Sequence, residues 1–146
     1  MIWTPLTQKA YKIACEAHCG QSDKGGNPYI IHPCTLAAQM PNEEAAAAAL
    51  LHDVLEDTCL TLDDLVEKEI PDSVLQAVIF LTRSSWPDLN YMEYVQNLTQ
   101  DPIAVLVKKA DLRHNMDLSR LGRPANEKDM SLLQRYEKAL QILENH

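Results

Sequence analysis

The sequence predicts an all-α fold, a bundle of about seven or eight helices in a single domain spanning residues 1–146. Three observations predict it. Apolar residues recur three and four positions apart in most segments, as on one face of an amphipathic helix. No segment alternates apolar and polar residues over the length of a strand. Residues that favour helix starts precede the apolar stretches: Thr4, Asn42, Thr61, Asp72, Asn90 and Asn126.

The first half of the chain contains signals for four helices. The pair Thr4-Pro5 suits a helix cap and first helical position, and closely spaced glycines and a proline exclude a regular helix from residues 20–33. Two apolar stretches follow, and Thr61 with Asp64 approximates a capping box. We expect these helices at about residues 5–19, 33–40, 43–57 and 61–69, the third without a break.

The second half contains signals for four more helices. Asp72 and Asn90 can cap two of them, and a Trp-Pro-Asp segment separates the two. Pro102 starts an apolar helix that ends near Gly122, and Asn126 begins the last helix. We expect these helices at about residues 72–81, 90–98, 102–121 and 126–143.

Composition excludes several classes of protein. The chain has 13 Lys and Arg residues against 21 Asp and Glu residues, a net charge of −8, which argues against nucleic-acid binding. No apolar run approaches the roughly 20 residues of a membrane span, and the N-terminus does not resemble a signal peptide. We therefore expect a cytoplasmic protein with free cysteines, since no pair has C-x₂-C spacing. The oligomeric state stays open.

An acidic cluster follows the most apolar helix. His52, Asp53, Glu56 and Asp57 come directly after the run Ala45–Leu51, and in a continuous helix they would share one broad face. Three carboxylates there repel one another and oppose the helix dipole. A divalent cation would offset both costs. The alternative is a solvated helix end in which the histidine is a hydrogen-bonded core residue.

Two other segments could complete a metal site. His32 lies in a loop rich in proline, and Asp111 lies at the polar end of another apolar helix. Together with His52 and Asp53 they would give two imidazoles and two carboxylates. This donor set suits Mn, Fe, Co or Zn better than Ca or Mg. His114 is either a further ligand or a solvated residue.

Three segments of the chain together resemble those of a known family. The strings HCGQSDKGGNPYIIHP, ALLHDVLEDT and VKKADLRHNM, in this order, resemble the hydrolase domain of RelA/SpoT-type alarmone enzymes, of the HD-domain phosphohydrolase superfamily. The resemblance covers about residues 6–121. It implies an all-helical HD-domain bundle that binds one Mn²⁺, or another divalent transition metal, and removes the 3′-pyrophosphate of guanosine tetra- or pentaphosphate.

The resemblance also implies roles for particular residues. His32, His52, Asp53 and Asp111 match the metal ligands of the family. Glu56 and Asp57 match the acidic pair that orients and activates the attacking water. Lys24 matches a residue that contacts substrate phosphate, and Asn115 matches a contact to the nucleoside. Independently of the resemblance, Arg113 is a further candidate for substrate binding, because it adds local positive charge to an acidic protein.

One departure from the family pattern leaves the substrate open. Asp23 stands where the family commonly has an arginine that stacks on guanine, and Leu118 stands where a threonine is common. The first hypothesis is a stand-alone alarmone hydrolase that acts on a small nucleotide and contacts neither nucleic acid nor membrane. The second is an HD-type phosphohydrolase of another phosphorylated nucleotide. A non-catalytic binding module and a purely structural helical protein are the remaining alternatives.

Overall fold

The computed structural model describes residues 1–146 and confirms the all-α prediction. An isolated antiparallel bridge between Ser22 and Pro28 is the single β-type pairing. No helix combines the length and the apolar character that crossing a bilayer requires. The nine α-helices are α1 (Pro5–Ala17), α2 (Ile31–Ala37), α3 (Glu43–Leu51), α4 (Val54–Asp57), α5 (Leu62–Glu67), α6 (Asp72–Leu81), α7 (Tyr91–Leu98), α8 (Pro102–Asn115) and α9 (Glu127–Glu144).

Helix α3 lies at the centre of the bundle. Its seven residues Ala45–Leu51 are fully buried, and α1, α2, α6 and α8 pack around it. Asn42 begins the helix by accepting a hydrogen bond from the backbone N–H of Ala45 at 2.9 Å. Alanine side chains let the surrounding helices approach the α3 backbone closely. The end of α3 lies near the first turn of α2 and the last part of α8.

The prediction of one unbroken helix over residues 43–57 is wrong, because the helix stops at His52. In a continuous helix the carbonyl of Ala49 would accept the N–H of Asp53. Here the His52 side chain donates its Nδ1–H to that carbonyl at 2.6 Å. Asp53 takes φ −107° and ψ −1°, and α4 begins one residue later. The four polar residues therefore do not lie on one uninterrupted helix.

Two other helix limits differ from those expected. Helix α2 begins at Ile31 rather than Pro33, because a proline in the first turn loses no intrahelical hydrogen bond. Helix α8 ends at Asn115 rather than near Gly122. Beyond it, the Asp117 carboxylate accepts the N–H of Ser119 at 3.1 Å and starts a 3₁₀ turn over Leu118–Leu121.

Most capping predictions are confirmed. Thr61 and Asp64 form the expected reciprocal box, and Thr4, Asn90 and Asn126 each accept a backbone N–H at the start of their helices. Asp72 differs slightly, since it is the first residue of α6 and Pro71 occupies the cap position. All four cysteines are free thiols.

Candidate metal centre

Three structural elements bring the expected metal ligands together. His32 lies in the first turn of α2, His52 and Asp53 lie at the break between α3 and α4, and Asp111 lies in the last part of α8. His32, His52 and Asp53 each offer a ligand atom within 4.8 Å of the others. Asp111 contacts both histidines from the opposite helix.

Three distances within the cluster are close to the spacing of ligands around one metal ion. His32 Nε2 lies 2.9 Å from Asp111 Oδ1, and His52 Nε2 lies 2.9 Å from Asp53 Oδ2 and 3.6 Å from Asp111 Oδ1. Ligands about 2.1 Å from a shared metal ion are about 3.0–3.4 Å apart in octahedral or tetrahedral geometry. The first two distances lie just below this range and the third just above it, so small shifts of the side chains would form a mononuclear site.

The two imidazoles are oriented by hydrogen bonds on their other ring nitrogen. His52 Nδ1 is committed to the Ala49 carbonyl, which leaves Nε2 facing the cluster. His32 Nδ1 lies 2.6 Å from Nδ1 of His114, and the planes of the two rings are 9° apart, as suits a hydrogen bond between ring edges. Burial, followed by the positive charges around it, lowers the pKa of His114 to about 4, so this partner is neutral at neutral pH. Such outer hydrogen bonds fix the tautomer of a metal-binding histidine.

The two carboxylates are held in the same way. The Tyr29 hydroxyl donates to Asp53 Oδ2 in a short hydrogen bond. Asp111 receives the Lys108 ammonium on Oδ2 at 3.0 Å and the Asn115 amide on Oδ1 at 3.1 Å. Each ligand thus has a defined direction before any ion is bound.

The electrostatic field of the cluster favours a cation. Burial raises the pKa of Asp111, but Lys108 and the two imidazoles outweigh burial and hold this pKa well below its usual range. Burial lowers the pKa of His52, yet Asp53 and Asp111 outweigh it and raise the pKa well above its usual range. The cluster therefore attracts positive charge, which a metal ion can supply in place of a proton.

A buried atom without a partner tests whether a metal fits. His52 Nε2 is buried and has no hydrogen bond of acceptable geometry, although two carboxylates lie near it. Buried polar atoms in native proteins are nearly always paired. A divalent ion held by two imidazoles and two carboxylates would satisfy this nitrogen, and the mixed N/O donor set is the one that transition metals bind. The residues present therefore fit a metal.

A cavity of about 390 Å³ opens onto the cluster. His32, Asp53 and Asp111 are among its lining residues. The 3₁₀ turn after α8 and α9 contribute apolar side chains to the lining, namely Leu118, Leu121, Leu132, Leu133 and Tyr136. A pocket that combines apolar walls with a few convergent polar groups is typical of a small-molecule site.

The two acidic residues expected to activate water point in different directions. Asp57 lines the cavity beside Asp53, and burial, together with the charges of Asp53 and Glu56, raises its pKa. Glu56 does not line the cavity, and its Oε1 instead accepts the backbone N–H of Ser84 at 3.2 Å. The two residues are adjacent in α4, and neighbouring residues of a helix face about 100° apart.

Two of the three expected substrate-binding residues line the cavity, and the third does not. Lys24 and Asn115 line the cavity. Arg113 lies on the far side of α8, is more than half exposed and pairs with Glu144 at 3.4 Å. A residue two positions from Asp111 on a helix faces about 200° away, which accounts for the placement of Arg113.

Two residues of the site have roles that sequence reasoning missed. The sequence around Lys108 is typical of a solvated lysine on a helix surface. In the structure its ammonium is instead buried between Asp111 and the rings of Tyr91 and Tyr94. Its position three residues before a ligand, within an apolar helix, is the signal that could have identified it. Tyr29 reads as a loop-shaping residue, and nothing in the local sequence indicates its bond to Asp53.

Comparisons with known proteins agree with this geometry. Residues 10–132 match the HD domain family model. The chain is 42% identical over 116 residues to guanosine-3′,5′-bis(diphosphate) 3′-pyrophosphohydrolase of Haemophilus influenzae. It is 36% identical over 121 residues to the bifunctional (p)ppGpp synthase/hydrolase SpoT of Escherichia coli. These alignments cover 71% and 75% of this chain but 17% of each relative, so the chain spans about one sixth of their length.

A solved structure is similar over nearly the whole chain. It is that of a metazoan ortholog of SpoT that hydrolyses ppGpp, and it aligns with a TM-score of 0.78 over 99% of this chain and 89% of the other. Sequence identity in this alignment is 23%, so the similarity establishes the shared fold.

Proposed function

This chain belongs to the HD domain family, and we propose that it is a metal-dependent hydrolase of the 3′-pyrophosphate of guanosine tetra- and pentaphosphate. The products would be pyrophosphate and GDP or GTP. The observation that carries the proposal is the cluster of two imidazoles and two carboxylates, open to a cavity that also holds Lys24 and Asp57. The two curated relatives above carry this hydrolase activity in their names, which supports the same substrate here.

The metal ion would be held by His32, His52, Asp53 and Asp111. The mixed donor set of imidazoles and carboxylates suits Mn, Fe, Co or Zn better than Ca²⁺ or Mg²⁺, and we propose Mn²⁺ because the resemblance to the alarmone hydrolases implies it. When bound, a divalent ion supplies polarisation of the scissile phosphate and lowers the pKa of water near it.

Asp57 is proposed as the general base. In the reaction, water oxygen bonds to the phosphorus attached to the 3′ oxygen, and the bond between that phosphorus and the 3′ oxygen breaks. The water proton passes to the Asp57 carboxylate, and the released 3′ oxygen takes up a proton to become a hydroxyl. The raised pKa of Asp57 makes its carboxylate a better proton acceptor. Glu56 acts through its hydrogen bond to the Ser84 backbone, which fixes α4 and so positions Asp57.

Lys24 and Asn115 are proposed to hold the substrate. Lys24 lies on the loop that precedes His32, and none of the ion pairs of the molecule involves it. Its ammonium is free to bind a phosphate of the substrate. Asn115 donates its amide N–H to Asp111 at 3.1 Å and lines the cavity, where we propose that it contacts the nucleoside part of the substrate.

The experiment is an assay of metal-stripped protein with guanosine 3′,5′-bispyrophosphate, with and without added Mn²⁺, in which pyrophosphate and GDP are quantified. We expect release of both products in equal amounts only when the metal is present. Asp53→Asn should lose activity and metal, whereas Asp63→Asn, the same change on an exposed turn of α5, should retain both. Circular dichroism checks that each variant remains helical.

A second candidate substrate is favoured by one observation. Asp23, at the position where an arginine is common in the family, bonds the backbone N–H groups of Gly25 and Asn27 and cannot stack on a base. If metal-loaded protein leaves the guanosine substrate intact, hydrolysis of another 2′-, 3′- or 5′-phosphorylated nucleotide replaces the first proposal. Measuring phosphate release from each member of a panel of such nucleotides then identifies the substrate.

A further inference from the structure

The cavity contains far more negative than positive charge. Two cationic side chains line it, Lys24 and Arg120. Six aspartates line it, namely Asp23, Asp53, Asp57, Asp111, Asp117 and Asp129. A nucleotide with phosphates at two positions carries several negative charges, and one metal ion can neutralise the phosphate group at one position only. The second phosphate group needs a cation of its own.

Arg120 can supply that cation from the wall of the cavity. It lies on the 3₁₀ turn after α8, and its side chain is 23% exposed. Its Nη1 donates to the carbonyl of His114 at 2.8 Å, which fixes the guanidinium beside Asn115. This 3₁₀ turn packs closely against the loop that contains Lys24. A Cβ atom on Gly25 would lie only 2.2 Å from the backbone carbonyl oxygen of Arg120.

The partner of Arg120 in the free protein is weak. Nη2 lies 3.7 Å from Asp23 Oδ2, beyond hydrogen-bond distance. Asp23 is already bonded through Oδ1 to the N–H groups of Gly25 and Asn27, at 2.9 Å each. By contrast, Arg123 pairs with Asp129 at 2.7 Å and is fully engaged. The Nη2 edge of Arg120 is therefore available to a stronger acceptor.

We propose that Arg120 binds the phosphate group of the nucleotide that the metal does not hold, exchanging its loose contact with Asp23 for a phosphate. The inference rests on the proposed function, because it assumes a nucleotide with phosphates at both the 3′ and 5′ positions. The planar fork of the guanidinium matches two phosphate oxygens. Asp23 competes with that phosphate, so the pair favours ligands with enough charge to displace a carboxylate.

The first test measures binding rather than turnover. Isothermal titration of Mn²⁺-loaded protein uses GDP, which has only 5′ phosphates, and pyrophosphate, which has no nucleoside. Arg120→Gln should weaken GDP binding about 10- to 100-fold, the worth of a hydrogen bond between charged groups. Pyrophosphate binding at the metal should stay unchanged. Arg120→Lys should be intermediate, and Lys128→Gln, an equal charge change on an exposed turn of α9, should match wild type.

A second variant separates ligand binding from a structural role. Asp23→Asn keeps an oxygen for the Gly25 and Asn27 N–H groups but removes the competing charge, so GDP should bind several-fold more tightly. If Arg120 merely held the turn in place, both variants would weaken GDP and pyrophosphate alike. That result overturns the inference.

Turnover distinguishes failure of this inference from failure of the proposed function. In Arg120→Gln, KM for guanosine 3′,5′-bispyrophosphate should rise about 10- to 100-fold with kcat little changed. A wild-type protein that cleaves this substrate with an unaltered KM in Arg120→Gln refutes the role of Arg120 alone. A wild-type protein that fails to cleave it, yet binds GDP through Arg120, refutes the proposed substrate and upholds the phosphate contact.

Discussion

The ammonium of Lys108 lies 3.0 Å from Oδ2 of Asp111 in the interior of the bundle. The side chains of both residues are nearly buried, with 13% and 8% of their surface exposed. The lysine occupies one carboxylate oxygen and leaves Oδ1 to face the two histidines. In the proposed metal site, Lys108 would therefore limit Asp111 to a single ligand oxygen.

Lys108→Met should weaken both the metal site and the metal-free fold. The variant leaves Asp111 without its cation, and loss of one partner of a buried ion pair costs about 3 kcal/mol or more. Metal affinity should fall about 10- to 100-fold, as is typical when an outer contact of a ligand is removed. Denaturant unfolding of the metal-free protein and metal titration measure the two effects.

The neighbouring Lys109→Met is the matched control, since Lys109 takes part in no ion pair. Equal loss of stability and metal affinity in the two variants would contradict the assigned role of Lys108.

Tyr29→Phe should reduce metal affinity with little effect on folding. Burial and the nearby Asp53 raise the pKa of Tyr29 above its usual range, so the hydroxyl stays protonated and donates to Asp53. Phenylalanine keeps the ring that packs on His18 and His32 but releases the carboxylate. We expect about a 10-fold loss of metal affinity in a competition titration, and the melting temperature of the metal-free protein should stay close to wild type. Undiminished metal binding would show that Asp53 needs no such anchor.

Asp57→Asn should lower kcat far more than Glu56→Gln. Asp57 lines the cavity, so its amide variant should lower kcat about 10²- to 10⁴-fold, with metal still bound. Glu56 bonds the Ser84 backbone, and its glutamine variant keeps an acceptor oxygen there, so its kcat should fall much less. Steady-state kinetics with metal analysis of each variant makes the comparison. A larger loss in Glu56→Gln would reassign the base to Glu56.

Metal removal should destabilise the protein. A ligand that binds only the folded state adds about 2.7 kcal/mol when its free concentration is 100 times its Kd. The melting temperature should therefore fall on chelation and recover when Mn²⁺ is added back. Asp53→Asn should show little response to chelator, and a wild-type melting temperature that ignores both chelator and Mn²⁺ would speak against a metal centre.

The amino-acid sequence by itself determined the local structure. The caps at Thr61, Asn90 and Asn126 were predictable because a capping hydrogen bond joins residues three apart and needs no distant partner. The buried centre was predictable because Ala45–Leu51 has no polar side chain to present to solvent. Residue type and the family motifs singled out His32, His52, Asp53 and Asp111, and the structure brings these side chains together.

Only the tertiary structure decided how those residues work. The break after His52 depends on an imidazole that takes a backbone carbonyl, and helical periodicity cannot reveal it. The Lys108 ammonium is buried because α7 covers that face of α8 with two tyrosine rings. Asp23 and Arg120 are 97 residues apart in sequence and meet only when the loop and the 3₁₀ turn pack together. Such contacts depend on the packing of whole elements, which sequence spacing encodes weakly.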